Sequence, residues 1–287
     1  MLTNRSRPRA AAQHHDVSLD HLRFHYDAWG DHGPPVVLVH ATGFLGYVWK
    51  PIAEGLSRDY HVFALDQRGH GDSAKPESGY AWEVFANDLH RFLVVLRLKE
   101  VIAVGHSAGA TAIAVCAAHH PGRISRAVLI DPVLVPAGAR GHNFENPLAY
   151  RARKRRMVWE SRSAMFHSYR TRAPFKTWRE DVLRAYIEEG TTVRPDGQIE
   201  LKCPGTIEAQ IYDMASHLDG FSVLPRVGIP ALLIRGEASE TLAAESAALA
   251  VSLLPHGRLM TLTATTHFVP MERPDAVERA VRRFVTA

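Results

Sequence analysis

Ser107 lies in Gly105-His106-Ser107-Ala108-Gly109, after the apolar run Val101-Ile102-Ala103-Val104 and before a helical stretch. Between a strand and a helix, Gly-x-Ser-x-Gly is informative, because its small residues let the chain turn sharply and expose the hydroxyl at the strand's C-terminal end. The N-terminus of the following helix offers unpaired N–H groups that favour developing negative charge, so the Ala108 N–H is one oxyanion donor. The chemistry is nucleophilic attack, and a serine hydroxyl attacks well only when a base removes its proton.

Seventeen histidines compete for that role. His267 is the preferred base: it follows the last strand, in Thr265-Thr266-His267-Phe268-Val269-Pro270, with only a final helix to come, which fits the chain order serine, acid, histidine. His106 adjoins the nucleophile, but the turn directs its side chain elsewhere, and His119-His120 closes a helix; both read as structural. A third residue must hold His267 in the correct tautomer and stabilise its cation. After the strand ending at Ile234, Glu237 and Glu240 stand where a carboxylate is needed, and Glu240 is preferred. Asp131, at the end of the strand after Ser107, is the alternative acid, its structural role being to cap the turn before Pro132.

The rest of the composition bounds the reading. A chain of 287 residues with 46% hydrophobic content can bury one large core or a core with a smaller insertion. Its apolar runs fall far short of the roughly twenty residues needed to cross a bilayer. Residues 1–15 read as a disordered tail, since the Arg-rich start lacks the apolar segment of a secretory signal. Cys116 and Cys203 occur in unrelated contexts, no His/Asp/Glu grouping has metal spacing, and the expectation is a cytoplasmic protein with no metal and no cofactor. The net charge of +4 is concentrated in residues 140–184, with twelve Lys/Arg against four Asp/Glu. No recognition motif or stacking platform accompanies that charge, so it reads as a solvated helix face rather than a nucleic-acid site. The expected partner is a small-molecule substrate, with no nucleic acid and no membrane, and a homodimer is left open.

The elements that must position Ser107 follow from periodicity. After a hairpin over Val17–Trp29, apolar strands at 36–39, 61–65, 101–104, 127–130, 231–234 and 259–262 alternate with helical stretches such as Trp82–Leu98, which predicts an α/β fold with a mostly parallel central sheet flanked by helices. The alternation breaks between about Pro136 and Leu218. Residues 16–135 and 220–287 therefore form the core, and 136–219 an inserted helical cap with helices over Pro147–Phe166 and Trp178–Glu189 and a loop or hairpin over Thr192–Leu201.

Taken together, four motifs resemble the α/β-hydrolase superfamily, in its capped branch of esterases, lactonases and carbon–carbon bond hydrolases. They are His40-Ala41-Thr42-Gly43-Phe44, the stretch Asp66-Gln67-Arg68-Gly69-His70-Gly71-Asp72-Ser73, the Ser107 turn, and His267-Phe268 with Met271-Glu272-Arg273-Pro274 behind it. The resemblance covers roughly 20–135 and 220–287. It implies the α/β-hydrolase fold, a second oxyanion donor in the Thr42 N–H, and a bracing role for Asp66–Ser73. Arg235-Gly236-Glu237-Ala238-Ser239-Glu240-Thr241-Leu242 is similar to a family pattern whose aspartate is the acid, with Glu240 in its place. Serine rather than aspartate at position 107 argues against epoxide opening and halide displacement. The implied reaction is hydrolysis of a carboxylic ester or lactone of a small, fairly apolar substrate, with a carbon–carbon bond hydrolase of a diketone and a non-catalytic small-molecule receptor as the alternatives. Candidate pocket residues are Phe44, His106, Trp159, Phe166 and Phe268, with Tyr169, Phe175 and Trp178 as further cap aromatics. The Arg153–Arg156 run offers a place for an anionic substrate.

Overall fold

A computed structural model describes residues 11–136, 146–215 and 217–287. The chain opens on an antiparallel hairpin, β1 (Gln13–Leu19) and β2 (Leu22–Trp29), followed by β3 (Pro35–Val39), α1 (Lys50–Leu56), β4 (His61–Leu65), α2 (Trp82–Val95), β5 (Val101–His106), α3 (Ala108–His119) and β6 (Ile124–Ile130). The hairpin starts earlier than its sequence pattern suggested, so Gln13–His15, assigned to a disordered tail, belong to β1; residues 1–10 of that tail lie outside the described residues. Cross-strand pairing with Asp27 and Ala28 holds these polar residues in a strand that no apolar alternation announces.

The cap follows β6. It consists of α4 (Pro147–Arg153), β7 (Val158–Trp159), α5 (Arg162–Arg170), α6 (Glu180–Glu189), β8 (Thr191–Val193), β9 (Ile199–Leu201) and α7 (Gly205–Met214). The helix expected over Pro147–Phe166 is broken: β7 pairs with β9 and completes a three-stranded antiparallel sheet, and Ser161 restarts the helix by accepting the Ala164 N–H. The short α8 (Gly220–Val223) returns the chain to the core, which closes with β10 (Ala231–Gly236), α9 (Ala244–Leu253), β11 (Gly257–Leu262), α10 (Val269–Glu272) and α11 (Pro274–Thr286). Among the described residues no helix is long and apolar enough to cross a membrane.

The main sheet has eight strands in the order β1-β2-β4-β3-β5-β6-β10-β11, parallel from β4 onward. Its central strands carry continuous apolar runs, such as residues 36–39, 101–104, 127–130 and 231–234, because both faces are covered, and the pleat sends alternate residues to different cores. Val37 and Val39 of β3, Ala103 of β5 and Leu129 of β6 join one cluster with α2 and α3. Val36, Leu38, Val104 and Ile130 join the other, with α1, α11 and the cap residues Trp178, Leu183 and Tyr186. Cap and core therefore share one apolar interior.

The helix α3 runs through the middle, with all but the last two of its residues buried. Its first turn presses onto the sheet: a Cβ added at Gly109 would lie 2.3 Å from the Val39 carbonyl oxygen, and one at Gly105 would lie 2.6 Å from the Ala110 nitrogen. Both contacts are to backbone, which cannot swing aside. Gly109→Ala is therefore expected to destabilise the protein by about 1–3 kcal/mol through overpacking. Denaturant unfolding checks this, and an unchanged midpoint would show that α3 can lift off β3.

Candidate active site

Ser107 occupies the join between β5 and α3 with φ 53° and ψ −117°, a left-handed conformation that a side-chain-bearing residue adopts at a cost of about 1–3 kcal/mol. Its N–H is bonded to the Ile130 carbonyl at 2.9 Å, and the flanking glycines allow the close helix crossing. Although Ser107 stands at the N-cap position, its hydroxyl makes no capping hydrogen bond to α3. The hydroxyl is thus kept for another use at the positive end of a helix.

His267 is brought to this point by the loop after β11. Its carbonyl accepts the Nε2–H of His106 at 2.8 Å, joining the loop to the residue before Ser107, and the two rings lie 4.8 Å apart. Burial and the neighbouring His267 hold the His106 imidazole well below its ordinary pKa, so it stays neutral and serves as a clamp. Two carboxylates shape the same loop: Glu237 accepts the Ala264 N–H at 2.9 Å, and Glu272 accepts both the N–H and the hydroxyl of Thr266 at 2.8 Å.

The acid facing His267 is Asp131. His267 Nδ1 donates to Asp131 Oδ1 at 2.8 Å, which leaves Nε2 as the basic nitrogen. Asp131 is fully buried at the end of β6, and accepts two further bonds, from the Ser239 hydroxyl at 2.6 Å and the Gly236 N–H at 3.0 Å. Glu240, the acid preferred from sequence, is exposed, and among the described residues no hydrogen bond or ion pair joins it to His267. The correction has a local cause. In the turn after β10 it is Ser239 that faces inward: its hydroxyl donates to Asp131 and accepts the N–H groups of Thr241 and Leu242 at 3.2 Å, leaving Glu240 on the outside of the turn. The available signal was a charged residue closing the buried apolar run at 127–130, since a buried aspartate needs partners.

The loop after β3 carries Thr42. Gly43 turns with φ +80° and donates its N–H to His70 Nε2 at 2.9 Å, while Phe44 N–H bonds back to the Ala41 carbonyl. Among the described residues the Thr42 N–H has no acceptor, nor has that of Ala108 at the first position of α3. The Gly109 backbone abuts the Val39 and His40 carbonyls, so the two segments bearing these donors lie against each other.

A buried histidine pair supports that loop. His40 donates through Nδ1 to the Ala41 carbonyl at 2.7 Å and accepts the Gln67 N–H at Nε2, 3.0 Å away. His70 donates to the Arg68 carbonyl and accepts from Gly43. Each ring thus has one donor and one acceptor partner, which only the neutral form satisfies. Burial lowers both pKa values, and in His70 burial, with His40 packed beside it, pushes the value down to about 3. Asp66, in the adjoining motif, accepts the N–H groups of Gly46 and Asp72 and the Nδ1–H of His25. Burial opposes its charge, but the His25 bond and the nearby histidines outweigh that and hold the carboxyl at about 2.

Of the pocket candidates, Phe44 and Phe268 come together, with ring centroids 6.2 Å apart and both packed on Trp178. His106 lies beneath them as the clamp already described. Trp159 and Phe166 are elsewhere: the ring contacts of Trp159 are to Tyr169 and Arg156, and Phe166 borders an outer groove of about 240 Å³ with Arg162 and Arg184. The Arg153–Arg156 run is occupied internally. Arg153 pairs with Asp213, Arg156 with Glu160, and Lys154 bonds the Tyr150 hydroxyl. Arg155 is bound by Glu208 at 2.7 Å and by the hydroxyls of Tyr186 and Tyr169.

A strained turn at Ser107, a histidine bonded to a buried aspartate and two amide segments lying against each other are the features gathered here. Residues 34–274 match the family model described as the alpha/beta hydrolase fold. The chain belongs to that family. It is 26% identical over 257 residues to 2-(acetamidomethylene)succinate hydrolase of Mesorhizobium japonicum, covering 89% of each chain. The crystal structure of E-2-(acetamidomethylene)succinate hydrolase superposes with a TM-score of 0.86 at 25% identity, over 96% of this chain and 100% of the other. N-formylmaleamate deformylase of Pseudomonas putida is 29% identical over 221 residues, or 76% of each chain, and Esterase YbfF of Escherichia coli 25% over 260 residues, or 88% of this chain and 92% of the other. This α/β-hydrolase thus has an esterase, a deformylase and a further hydrolase among its relatives.

Two expectations follow from this geometry. Asp131→Asn should slow labelling of Ser107 by a fluorophosphonate by about 10³–10⁴-fold, because the amide would select the wrong imidazole tautomer, whereas Glu240→Gln should leave the rate unchanged. The reverse ranking, read by intact mass against time, would reinstate Glu240. As pH falls below about 6.5, the unfolded chain protonates residue 70 while the folded chain resists protonation there until about pH 3, so this residue's contribution to stability is lost on acidification. In His70→Asn, whose side-chain carbonyl can still accept the Gly43 N–H, that loss disappears. The stability gap between wild type and variant should therefore narrow from about pH 7 to about pH 4 in urea titrations, and a constant gap would show that His70 is not held neutral.

Proposed function

We propose that this α/β-hydrolase cleaves a carboxylic ester or lactone of a small, fairly apolar substrate by way of an acyl-enzyme on Ser107. The observation that carries the reading is the His267–Asp131 hydrogen bond beside the strained Ser107 turn. In this mechanism His267 Nε2 takes the hydroxyl proton as Ser107 Oγ attacks the carbonyl carbon. The Ala108 and Thr42 N–H groups receive the oxyanion, a contribution of order 10²–10³ in rate for each donor. Asp131 steadies the imidazolium, which returns its proton to the leaving group; water activated by the same nitrogen then releases the acid and restores the serine. The aromatic wall of Phe44, Phe268 and Trp178 supports an apolar acyl or alcohol portion.

A second reading, acyl cleavage at an amide, is favoured by two relatives whose names place an acetamido and an N-formyl group in the substrate. It uses the same steps, with His267 protonating a departing nitrogen. A reducing, cytoplasmic setting is supported by two cysteines that are both buried and unpaired.

Hydrolysis of a p-nitrophenyl acyl series alongside N-acyl and N-formyl amides tests the proposal. Short-chain esters should turn over, and Ser107→Ala should reduce that turnover by about 10⁴-fold or more. Turnover of amides alone would favour the second reading, and ester turnover that survives in Ser107→Ala would overturn both.

A further inference from the structure

Outside the Ser107 centre, the N-terminal hairpin brings together three side chains that hydrolysis does not use. His14 of β1 is paired in register with Asp27 of β2, and His25 precedes Asp27 by two residues on the same strand. Alternation along the strands therefore puts all three on one face of the sheet. His14 Nδ1 lies 2.7 Å from Asp27 Oδ1, His25 Nε2 lies 3.9 Å from the same oxygen, and one ligand atom from each residue falls within 4.8 Å of the others. The neighbouring His15 points to the opposite face, where it stacks on Tyr26.

Three details distinguish this cluster from a surface ion pair. Asp27 is 1% exposed, and its Oδ1 is buried without a hydrogen-bond partner; the close approach of His14 is misaligned for donation. A buried carboxylate oxygen is costly to leave unpartnered, and an ion is one of the few things that can satisfy it. His25 Nδ1 donates to Asp66 Oδ2 at 3.0 Å, so Nε2, which faces Asp27, is the nitrogen left for an ion to bind in the neutral ring. A carboxylate that fixes a histidine by its far nitrogen is the usual outer support of a metal-binding imidazole. Finally, Asp27 and Asp66 put two buried carboxylates side by side with only imidazoles between them, a deficit that a divalent cation offsets.

We propose that His14 Nδ1, His25 Nε2 and Asp27 Oδ1 bind a zinc ion that fastens the edge strand β1 to the sheet. Two imidazoles and a carboxylate suit zinc, and the exposure of His14 leaves the fourth position to water. The ion's role is structural. Through Asp66, which bonds Gly46 and Asp72, it anchors the same motif whose His70 holds the Thr42–Gly43 turn. Closing the hairpin with a metal adds binding free energy to the folded state alone.

The test uses the full chain, stripped with a chelator and dialysed into metal-free buffer, then titrated with zinc chloride by calorimetry and followed by thermal unfolding. One zinc per chain should bind and raise the unfolding midpoint, and cobalt in its place should give the visible bands of a tetrahedral ion. His14→Ala, at an exposed position that costs the fold little, and Asp27→Asn should each weaken binding by at least roughly tenfold and remove the midpoint shift, while His15→Ala should change neither. Failure of the wild type to bind one equivalent, or equal binding by the wild type and His14→Ala, would overturn the proposal. None of these measurements depends on turnover at Ser107.

Discussion

The first turn of α3 can approach the ends of β3 and β5 only because residues 105 and 109 lack a Cβ, and much of the site depends on that approach. With Gly109 seated on the Val39 and His40 carbonyls, the helix N-terminus is driven into the sheet edge, and Ser107 is left to absorb the change of direction in a left-handed conformation. The strain is local and costs about 1–3 kcal/mol. It is held in place by elements whose burial is worth far more, since α3 is enclosed along almost its whole length. The same approach brings the Ala108 amide beside the loop that carries Thr42. The proposed nucleophile and oxyanion donors are therefore placed by one packing contact.

Charge is handled differently on the two sides of the nucleophile. On the His267 side a buried carboxylate accepts three hydrogen bonds, one of them from His267 Nδ1. On the Thr42 side two buried histidines are kept neutral by having one donor and one acceptor each, and burial resists their protonation. A proton arriving at His40 or His70 would break a hydrogen bond to a backbone amide in the loop. The proposed chemistry uses His267 as a base, while the two imidazoles beside the Thr42 loop are held neutral. The partners, and not the residue type, make the difference.

Sequence carried the fold well, because the β3, β5, β6 and β10 segments are apolar without alternation and that pattern is peculiar to strands covered on both faces. The positions of Ser107 and His267 were legible for a related reason: each stands at a junction between elements, where small or polar residues interrupt an apolar run. The acid was not, because Asp131 and Glu240 both end up in turns after strands, and the choice between them rests on which side chain the 236–242 turn aims inward. That is decided by the Ser239 hydroxyl and the Gly236 amide, which contact Asp131 across more than a hundred residues of sequence. The zinc-ligand geometry was hidden for a similar reason. His14 and Asp27 become neighbours only through hairpin register, and β1 carries no apolar alternation to announce a strand. The helix α7 was missed inside the cap, where its pattern is short and mixed.

The basic cap segment illustrates how composition misleads when partners are distant. Twelve cationic side chains suggest an attractive surface for an anion, yet Arg155 is consumed by Glu208 of α7 and by two tyrosines of α5 and α6. This buried cluster reaches the active-site loop directly: the Tyr186 hydroxyl donates to the Gly43 carbonyl at 3.4 Å, and a Cβ at Gly43 would meet the Glu208 carboxylate at 2.9 Å. Breaking the Arg155–Glu208 pair would leave a buried charge uncompensated against the turn that presents Thr42. The guanidinium thus supports the loop that carries Thr42 from one side, through Tyr186 and Glu208, as His70 supports it from the other. Substitutions in this cluster would therefore also be felt in the loop that carries Thr42.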